Sequence, residues 1–133
     1  MKDFNFQTKA VREGHDATEE QEHSEAIFLT SSYRFKSAEQ AADRFDNKEK
    51  GNVYSRFTNP TVDSFQDKLA ALEGAEKCQA TASGMSAIFA TIMTLLKPGE
   101  HMVASRCMFG TTIVLLNSII EKFEIQITFV DLA

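Results

Sequence analysis

A run of small residues, Thr81–Ser86, has the composition of an anion-binding turn. A strand-like segment precedes the run, and an apolar amphipathic helix follows it. The first turn of a helix has unpaired backbone N–H groups and the positive end of the helix dipole, and small side chains let a phosphate approach both. The run therefore predicts a phosphate site at Ser83, Gly84 and Met85. A plain helix capped by Ser83 is the alternative.

Tyr54 and Arg56 form a second candidate for phosphate binding. They lie just before Asn59 and Pro60, which suit the N-cap and the first position of a helix. An arginine can hold a phosphate through two parallel hydrogen bonds, and a tyrosine hydroxyl adds a directional donor. The alternative is a surface arginine beside a half-buried tyrosine.

Phe109 is a candidate for stacking on a flat heteroaromatic ligand. It follows a predicted strand and opens a predicted helix, so it belongs to the carboxyl edge of a parallel sheet, where ligands bind. The chain contains 11 phenylalanines, and a core role for Phe109 is the alternative.

Other catalytic motifs are absent. A nucleophile elbow needs Gly-x-Ser-x-Gly, but Thr81 and Met85 occupy the glycine positions around Ser83. The chain has no Walker motif and no Gly-x-Gly-x-x-Gly. Its 3 histidines show no metal-ligand spacing, so we predict no metal site.

The bulk composition is that of an ordinary globular protein, with 43% hydrophobic and 25% charged residues. A net charge of −5 without a basic block argues against nucleic acid as a partner. No apolar stretch is long enough to span a membrane. Two separated cysteines, Cys78 and Cys107, and no signal-like start predict a reducing, cytoplasmic setting.

From residue 60 onward, helices and strands alternate. Predicted helices follow Asn59, Ser83 and Phe109, and predicted strands cover 77–81, 101–104 and 125–130. The side chains expected to face inward are Val62, Phe65, Leu69, Leu72, Met85, Ile88, Phe89, Ile92, Met93, Leu96, Ile113, Leu116, Ile120 and Phe123. This order predicts an α/β fold with a mainly parallel sheet, helices on its faces, and the loops Thr81–Ser86 and Ser105–Thr112 meeting at its carboxyl edge.

The first 59 residues begin with a polar stretch, residues 1–24, followed by the apolar Ala26–Phe35. They predict a helical turn at Thr8–Arg12, a strand or extended arm at Ala26–Phe35, and a helix over Ala38–Phe45 capped by Ser37. The chain stops just after a strand that a parallel sheet would bury on both faces, so we expect it to be part of a longer protein.

Several motifs together resemble the Cys/Met-metabolism enzymes that use pyridoxal 5′-phosphate. They are Tyr54-Ser55-Arg56-x-x-Asn59-Pro60-Thr61, Leu72-Glu73-Gly74-Ala75, Ser83-Gly84-Met85-Ser86-Ala87-Ile88 and Lys97-Pro98-Gly99-Glu100, and Thr8-Lys9-Ala10-Val11-Arg12-x-Gly14 also fits. The resemblance covers almost the whole chain. It implies an N-terminal arm and inter-subunit segment at 1–60. It also implies that 61–133 begin the mainly parallel, helix-flanked sheet of a fold-type I transferase large domain, which binds the cofactor.

The resemblance also implies roles for the candidate residues. Backbone N–H groups of the Ser83–Met85 turn would bind the cofactor phosphate. Tyr54 and Arg56 would bind the same phosphate in the neighbouring subunit of a dimer, within a homotetramer. Phe109 would stack on the pyridine ring, at a position where the family more often has a tyrosine.

The run Phe109-Gly110-Thr111-Thr112 resembles that of O-succinylhomoserine sulfhydrylases. The implied activity is γ-replacement, which makes homocysteine from O-succinylhomoserine and sulfide in methionine biosynthesis. The family's Schiff-base lysine stands in a Ser-x-Thr-Lys context that this chain lacks. We therefore expect no catalytic residue in these 133 residues, and no activity from them alone.

Two other functions stay open. The first is a cystathionine γ-synthase or γ-lyase of the same family. A comparison of sulfide with cysteine as the incoming nucleophile would distinguish these enzymes from a sulfhydrylase. The second is a non-catalytic, truncated oligomerisation module whose arm, residues 1–60, packs on a partner subunit.

Overall fold

The computed structural model describes residues 4–132 and separates the chain into two units, Met1–Ala80 and Thr81–Ala133. The predicted division of the chain is a different one, with an inter-subunit arm at 1–60 and the start of the cofactor-binding domain at 61–133. It stays a prediction.

The described residues of the first unit form three α-helices, α1 (Phe6–Arg12), α2 (Ala38–Phe45) and α3 (Pro60–Glu73). Each begins after a polar residue whose side chain accepts a backbone N–H of the first turn; these residues are Asn5, Ser37 and Asn59. Such caps satisfy donors that a helix start otherwise leaves unpaired. The predicted helices at Ala38–Phe45 and after Asn59 are confirmed, and the turn predicted at Thr8–Arg12 is extended because Asn5 caps it.

Residues 26–35 form an extended arm rather than a strand of a sheet. Their one ladder contact is an isolated antiparallel bridge between Ser32 and Tyr54. The arm is also held at the start of α3, where Phe28 N–H donates to Thr61 Oγ1 (2.8 Å) and Asn59 Nδ2 donates to the Phe28 carbonyl (3.1 Å). Without a continuous partner strand the backbone cannot form a ladder, so the arm alternative is correct.

The predicted inward face of α3 is partly wrong. Val62 and Phe65 are 40% and 55% exposed, and Ala70 is the buried hydrophobic residue of the helix. The reason is that α3 packs on α1 and the following turn, where a Cβ on Gly14 would lie 2.2 Å from the Ser64 carbonyl oxygen. Periodicity locates an apolar stripe, but the neighbouring element decides which face is covered.

The second unit contains α4 (Gly84–Leu95), β1 (His101–Ser105), α5 (Gly110–Ser118), a 3₁₀ helix (Ile120–Phe123) and β2 (Gln126–Val130). The strands pair in parallel, from His101 opposite Gln126 to Ser105 opposite Val130. The α/β fold with parallel pairing is thereby confirmed.

The strand predicted at 77–81 does not form within the described part of the chain. A strand exists only by pairing its backbone with a neighbour. Here the Ala80 N–H donates instead to Gln66 Oε1 at 2.8 Å. A side chain of α3 thus takes the place of a neighbouring strand as the acceptor.

The second unit has one small core, whose buried members are Ile92, Ala104, Leu116, Ile120 and Ile125. Leu116 and Ile120 are at most 1% exposed, and burial of each contributes roughly 2 kcal/mol. Phe123, predicted to face inward, is 41% exposed, and its ring lies 6.3 Å from that of Phe89. After Ile119 the chain winds as a 3₁₀ helix, so the 3.6-residue period behind that prediction no longer applies.

Gly14 provides a test of the packing in the first unit. It has φ +71°, and a Cβ there would lie 2.2 Å from the Ser64 carbonyl oxygen and 2.9 Å from the Lys68 nitrogen. Gly74 has a similar φ of +67°, but a Cβ there meets nothing within 4 Å. Gly74→Ala should therefore lower the free energy of unfolding only by the strain of a left-handed residue, about 1 kcal/mol. Gly14→Ala should lower it by more, because the clash of its Cβ is added to the same strain. Urea unfolding of both variants measures the difference, and equal losses would contradict the packing.

Candidate functional site

The start of α4 presents two unpaired backbone donors. Ser83 caps the helix, since its Oγ accepts the Ser86 N–H at 3.1 Å and its carbonyl accepts the Ala87 N–H at 3.1 Å. Those bonds leave the N–H groups of Gly84 and Met85, for which residues 4–132 provide no hydrogen-bonding acceptor. Two adjacent free donors at the positive end of a helix dipole suit an anion.

The space in front of this turn is open. A Cβ built on Gly84 meets nothing within 4 Å, and Ser83, Gly84 and Ser86 are exposed. The hydroxyls of Ser83 and Ser86 lie 2.9 Å from each other beside the free donors. These groups fit the phosphate of a cofactor such as pyridoxal 5′-phosphate, which needs several N–H and O–H donors and room for its oxygens.

Phe109 presents an aromatic ring at the start of α5. It stands between β1 and α5 as the N-cap residue, without a side-chain cap bond, and its side chain is 75% exposed. Before it, the Arg106 N–H donates to the Val130 carbonyl at 2.9 Å, which extends the parallel ladder beyond β1. The exposed ring leaves room for stacking on a flat ligand.

The two loops of the second unit meet, as predicted for the carboxyl edge of a parallel sheet. Met85 Sδ lies 3.8 Å from Thr111 Oγ1 and 3.9 Å from Thr112 Oγ1. The structure thus brings Ser83, Gly84 and Met85 into one neighbourhood with the helix start that follows Phe109. Sequence reasoning missed both threonines as site residues, although their hydroxyls at the start of an apolar helix were the available signal.

Tyr54 and Arg56 lie together in the first unit. A turn places them side by side, because the N–H groups of Phe57 and Thr58 both donate to the Tyr54 carbonyl, at 2.9 and 3.0 Å. The Arg56 guanidinium lies 5.6 Å from the centre of the Tyr54 ring. Among the described residues no carboxylate pairs with Arg56 and no group hydrogen-bonds the Tyr54 hydroxyl, so both are available to an anion.

The first unit also contains an acidic cavity. It has a volume of about 260 Å³ and is lined by His15 and by four carboxylates, those of Asp16, Glu25, Asp63 and Asp67. Burial and the nearby Asp67 raise the pKa of Asp63, and an ion pair with Lys68 lowers the pKa of Glu25. Its excess of carboxylates repels anions, so this cavity does not suit a phosphate.

Within residues 4–132, no group of three or more His, Cys, Asp or Glu side chains is placed to hold a metal ion. No helix in that range is both long and apolar enough to cross a membrane.

The chain is similar to enzymes of sulfur amino-acid metabolism. It is 52% identical over 128 residues to an O-succinylhomoserine sulfhydrylase of Pseudomonas aeruginosa, an alignment covering 96% of this chain and 32% of that protein. It is 44% identical over 105 residues to an L-methionine gamma-lyase of Fusobacterium nucleatum, covering 79% of this chain and 27% of that protein. The chain therefore spans about a third or less of the length of these relatives.

A solved structure has the same fold. A putative O-acetylhomoserine (thiol)-lyase of Campylobacter jejuni aligns with a TM-score of 0.89 and 32% identity, over 97% of this chain and 32% of that one. That crystal structure contains N′-pyridoxyl-lysine-5′-monophosphate. The family model described as "Cys/Met metabolism PLP-dependent enzyme" matches residues 7–133. The chain belongs to this family of pyridoxal-phosphate enzymes, as its motifs predicted.

Proposed function

We propose that this chain forms part of a pyridoxal 5′-phosphate pocket in the full-length protein. The observation that carries the proposal is the pair of unpaired N–H groups at Gly84 and Met85, in a first turn of α4 whose residues Ser83, Gly84 and Ser86 are exposed. The bound cofactor supplies an electron sink for substrate carbanions. The residues of this chain hold its phosphate at the Ser83–Met85 turn and orient its ring against Phe109.

Tyr54 and Arg56 are proposed to bind the same phosphate from a neighbouring subunit, in a dimer that pairs into a homotetramer. Two features support this role: the guanidinium has no carboxylate partner among the described residues, and the pair stands in the motif that resembles the family's. A phosphate bound by a helix start and by an arginine has its charge balanced by a dipole and by a full cation.

The proposed reaction displaces succinate from the γ-carbon of O-succinylhomoserine. The bond from the γ-carbon to the ester oxygen breaks and a bond from that carbon to the sulfur of sulfide forms, giving homocysteine and succinate. Two observations support it: the 52% identity to an O-succinylhomoserine sulfhydrylase, and Phe109 itself. A phenylalanine ring stacks on the cofactor but has no hydroxyl with which to move a proton, in contrast to the tyrosine more common at this position.

A γ-elimination of methionine is the second candidate, since a relative at 44% identity is an L-methionine gamma-lyase. Assays of the full-length protein separate the candidates. The proposal predicts that O-succinylhomoserine and sulfide give homocysteine and succinate. This reaction should be faster than the formation of cystathionine from O-succinylhomoserine and cysteine, and faster than the release of methanethiol from methionine. Faster methanethiol release would establish the lyase instead.

We also propose that the full-length protein works in the cytoplasm. The cysteines of the chain support this location, because Cys78 and Cys107 are both free thiols rather than a disulfide.

The polypeptide of residues 1–133 by itself should show no turnover of O-succinylhomoserine with sulfide. None of its lysines stands in the Ser-x-Thr-Lys context of the family's cofactor lysine. Homocysteine formation by the purified polypeptide measures this, with the full-length protein as the positive control. Catalysis by the polypeptide would mean that the reactive group lies within these residues.

Gly84→Pro tests the phosphate donors. Proline at the first position of a helix preserves the backbone, and the extended Ser83 (φ −159°, ψ 159°) suits a residue before proline, but the donor N–H is lost. In cofactor-free full-length protein, this variant should raise the Kd for pyridoxal 5′-phosphate by roughly tenfold or more. Gly84→Ala keeps the N–H and adds a Cβ in open space, so it is the matched control.

Pyridoxal, which has no phosphate, should bind both Gly84 variants and the parent protein alike. Equal pyridoxal 5′-phosphate affinity in the proline and alanine variants would show that the phosphate binds elsewhere.

Mixed subunits test the assignment of Arg56 to the neighbouring pocket. Arg56→Ala and Gly84→Pro should each lower cofactor binding in homo-oligomers. If the contact crosses the interface, a hybrid dimer has one pocket with both substitutions and one with neither, so co-expression should recover tight binding in that one pocket. A hybrid without any recovered pocket would place both groups in the same subunit's pocket. Arg106→Ala is the control, because Arg106 also stacks on an aromatic ring, that of Phe129, but pairs with Asp131.

A further inference from the structure

The side chain of Met85 connects the first turns of two helices. Its Sδ accepts hydrogen bonds from Thr111 Oγ1 at 3.8 Å and from Thr112 Oγ1 at 3.9 Å. Met85 is the second residue of α4, and the two threonines are the second and third residues of α5. One thioether thus joins the helix start with free donors to the helix start that carries Phe109.

The threonine hydroxyls behave differently in the two helices. In α4, the Thr91 and Thr94 hydroxyls donate to the carbonyls four residues back, at 2.8 and 2.7 Å, which is the usual way for a helical threonine to satisfy itself. Thr112 lies in a helix too, yet within residues 4–132 its hydroxyl pairs with the sulfur of Met85. Thr112 is the third residue of α5, so the residue four positions back, Met108, lies before the helix, and the hydroxyl is paired across the contact between α4 and α5 instead.

Because Thr112 is buried, its hydrogen bond to Met85 opposes a shift of α5 relative to α4. Thr112 is only 7% exposed, so its hydroxyl has little access to water. A thioether is a weak acceptor, but a buried hydroxyl that loses its partner bears the full cost of desolvation. A shift of the first turn of α5 away from α4 would leave the Thr112 hydroxyl unpaired, and the contact therefore resists such a shift.

The position of the Phe109 ring depends on the first turn of α5. Phe109 has no side-chain cap bond, its ring is 75% exposed, and its carbonyl accepts the N–H of Thr112 at 2.8 Å. The backbone that carries the ring is thus bonded directly to the residue whose hydroxyl contacts Met85. A leucine at position 85 would fill a similar volume and keep the backbone N–H, but it would offer no acceptor.

We infer that Met85 is a positioning residue, whose thioether fixes the Phe109 ring relative to the phosphate-binding turn. The inference rests on the proposed function, in which the Met85 backbone N–H binds the cofactor phosphate. The backbone and the side chain of this residue then act on different parts of one ligand: the N–H on the phosphate, and the sulfur, through α5, on the ring.

Met85→Leu in cofactor-free full-length protein separates these two roles. The Kd for inorganic phosphate, which contacts only the turn, should stay unchanged. The Kd for pyridoxal 5′-phosphate should rise about fivefold, and the visible circular dichroism of the bound cofactor, which reports the orientation of its ring, should change. Met93→Leu is the matched control, because Met93 also lies in α4 and packs against the same core but makes no contact with α5 hydroxyls.

Thr112→Val completes a double-mutant cycle. Met85→Leu removes both hydrogen bonds to the sulfur, and Thr112→Val removes one of the same two. The double variant should therefore raise the Kd for pyridoxal 5′-phosphate no further than Met85→Leu alone. Additive effects, or a Met85→Leu protein that matches Met93→Leu in cofactor affinity and circular dichroism, would overturn the inference. Gly84→Pro in the same series identifies the other failure: if it leaves pyridoxal 5′-phosphate affinity unchanged, the proposed function is wrong and the inference falls with it.

Discussion

The parallel pairing of β1 with β2 is the constraint on which the arrangement of the second unit depends. Parallel strands require a crossover, and α5 with the 3₁₀ helix provides it, packed through Leu116 and Ile120. Parallel strands also end at one edge, so the α5 start emerges there. The start of α4 reaches the same place through Met85. The candidate phosphate donors and the aromatic ring are therefore neighbours as a consequence of topology.

The features that the sequence predicted well are local ones. Ser37 and Asn59 were expected to cap helices, capping by Ser83 was the alternative to a phosphate site, and each of the three accepts an N–H of its own first turn. A cap needs only the next three residues, so its signal is complete in the sequence. The parallel strands followed from the alternation of elements, and the family followed from motifs whose spacing the chain preserves.

The features that the sequence did not predict depend on distant partners. Residues 77–81 have no strand to pair with among the described residues, and Phe65 has no neighbour to cover it. The contact between Met85 and Thr112 joins residues 27 positions apart, and neither residue type announces it. In the candidate site, the residues themselves could be identified from the motifs and their roles stay predictions, whereas the contact between Met85 and the first turn of α5 required coordinates.

The unpaired N–H groups of Gly84 and Met85 are the proposed binding site of the cofactor phosphate. The most direct measurement is an amide NMR spectrum of the full-length protein labelled with ¹⁵N glycine and ¹⁵N methionine, recorded without ligand and with pyridoxal 5′-phosphate. We expect the Gly84 and Met85 amide protons to move downfield on binding, more than the other labelled amides, because each gains a charged acceptor. Saturation of the protein with cofactor while these two signals stay in place would contradict this expectation.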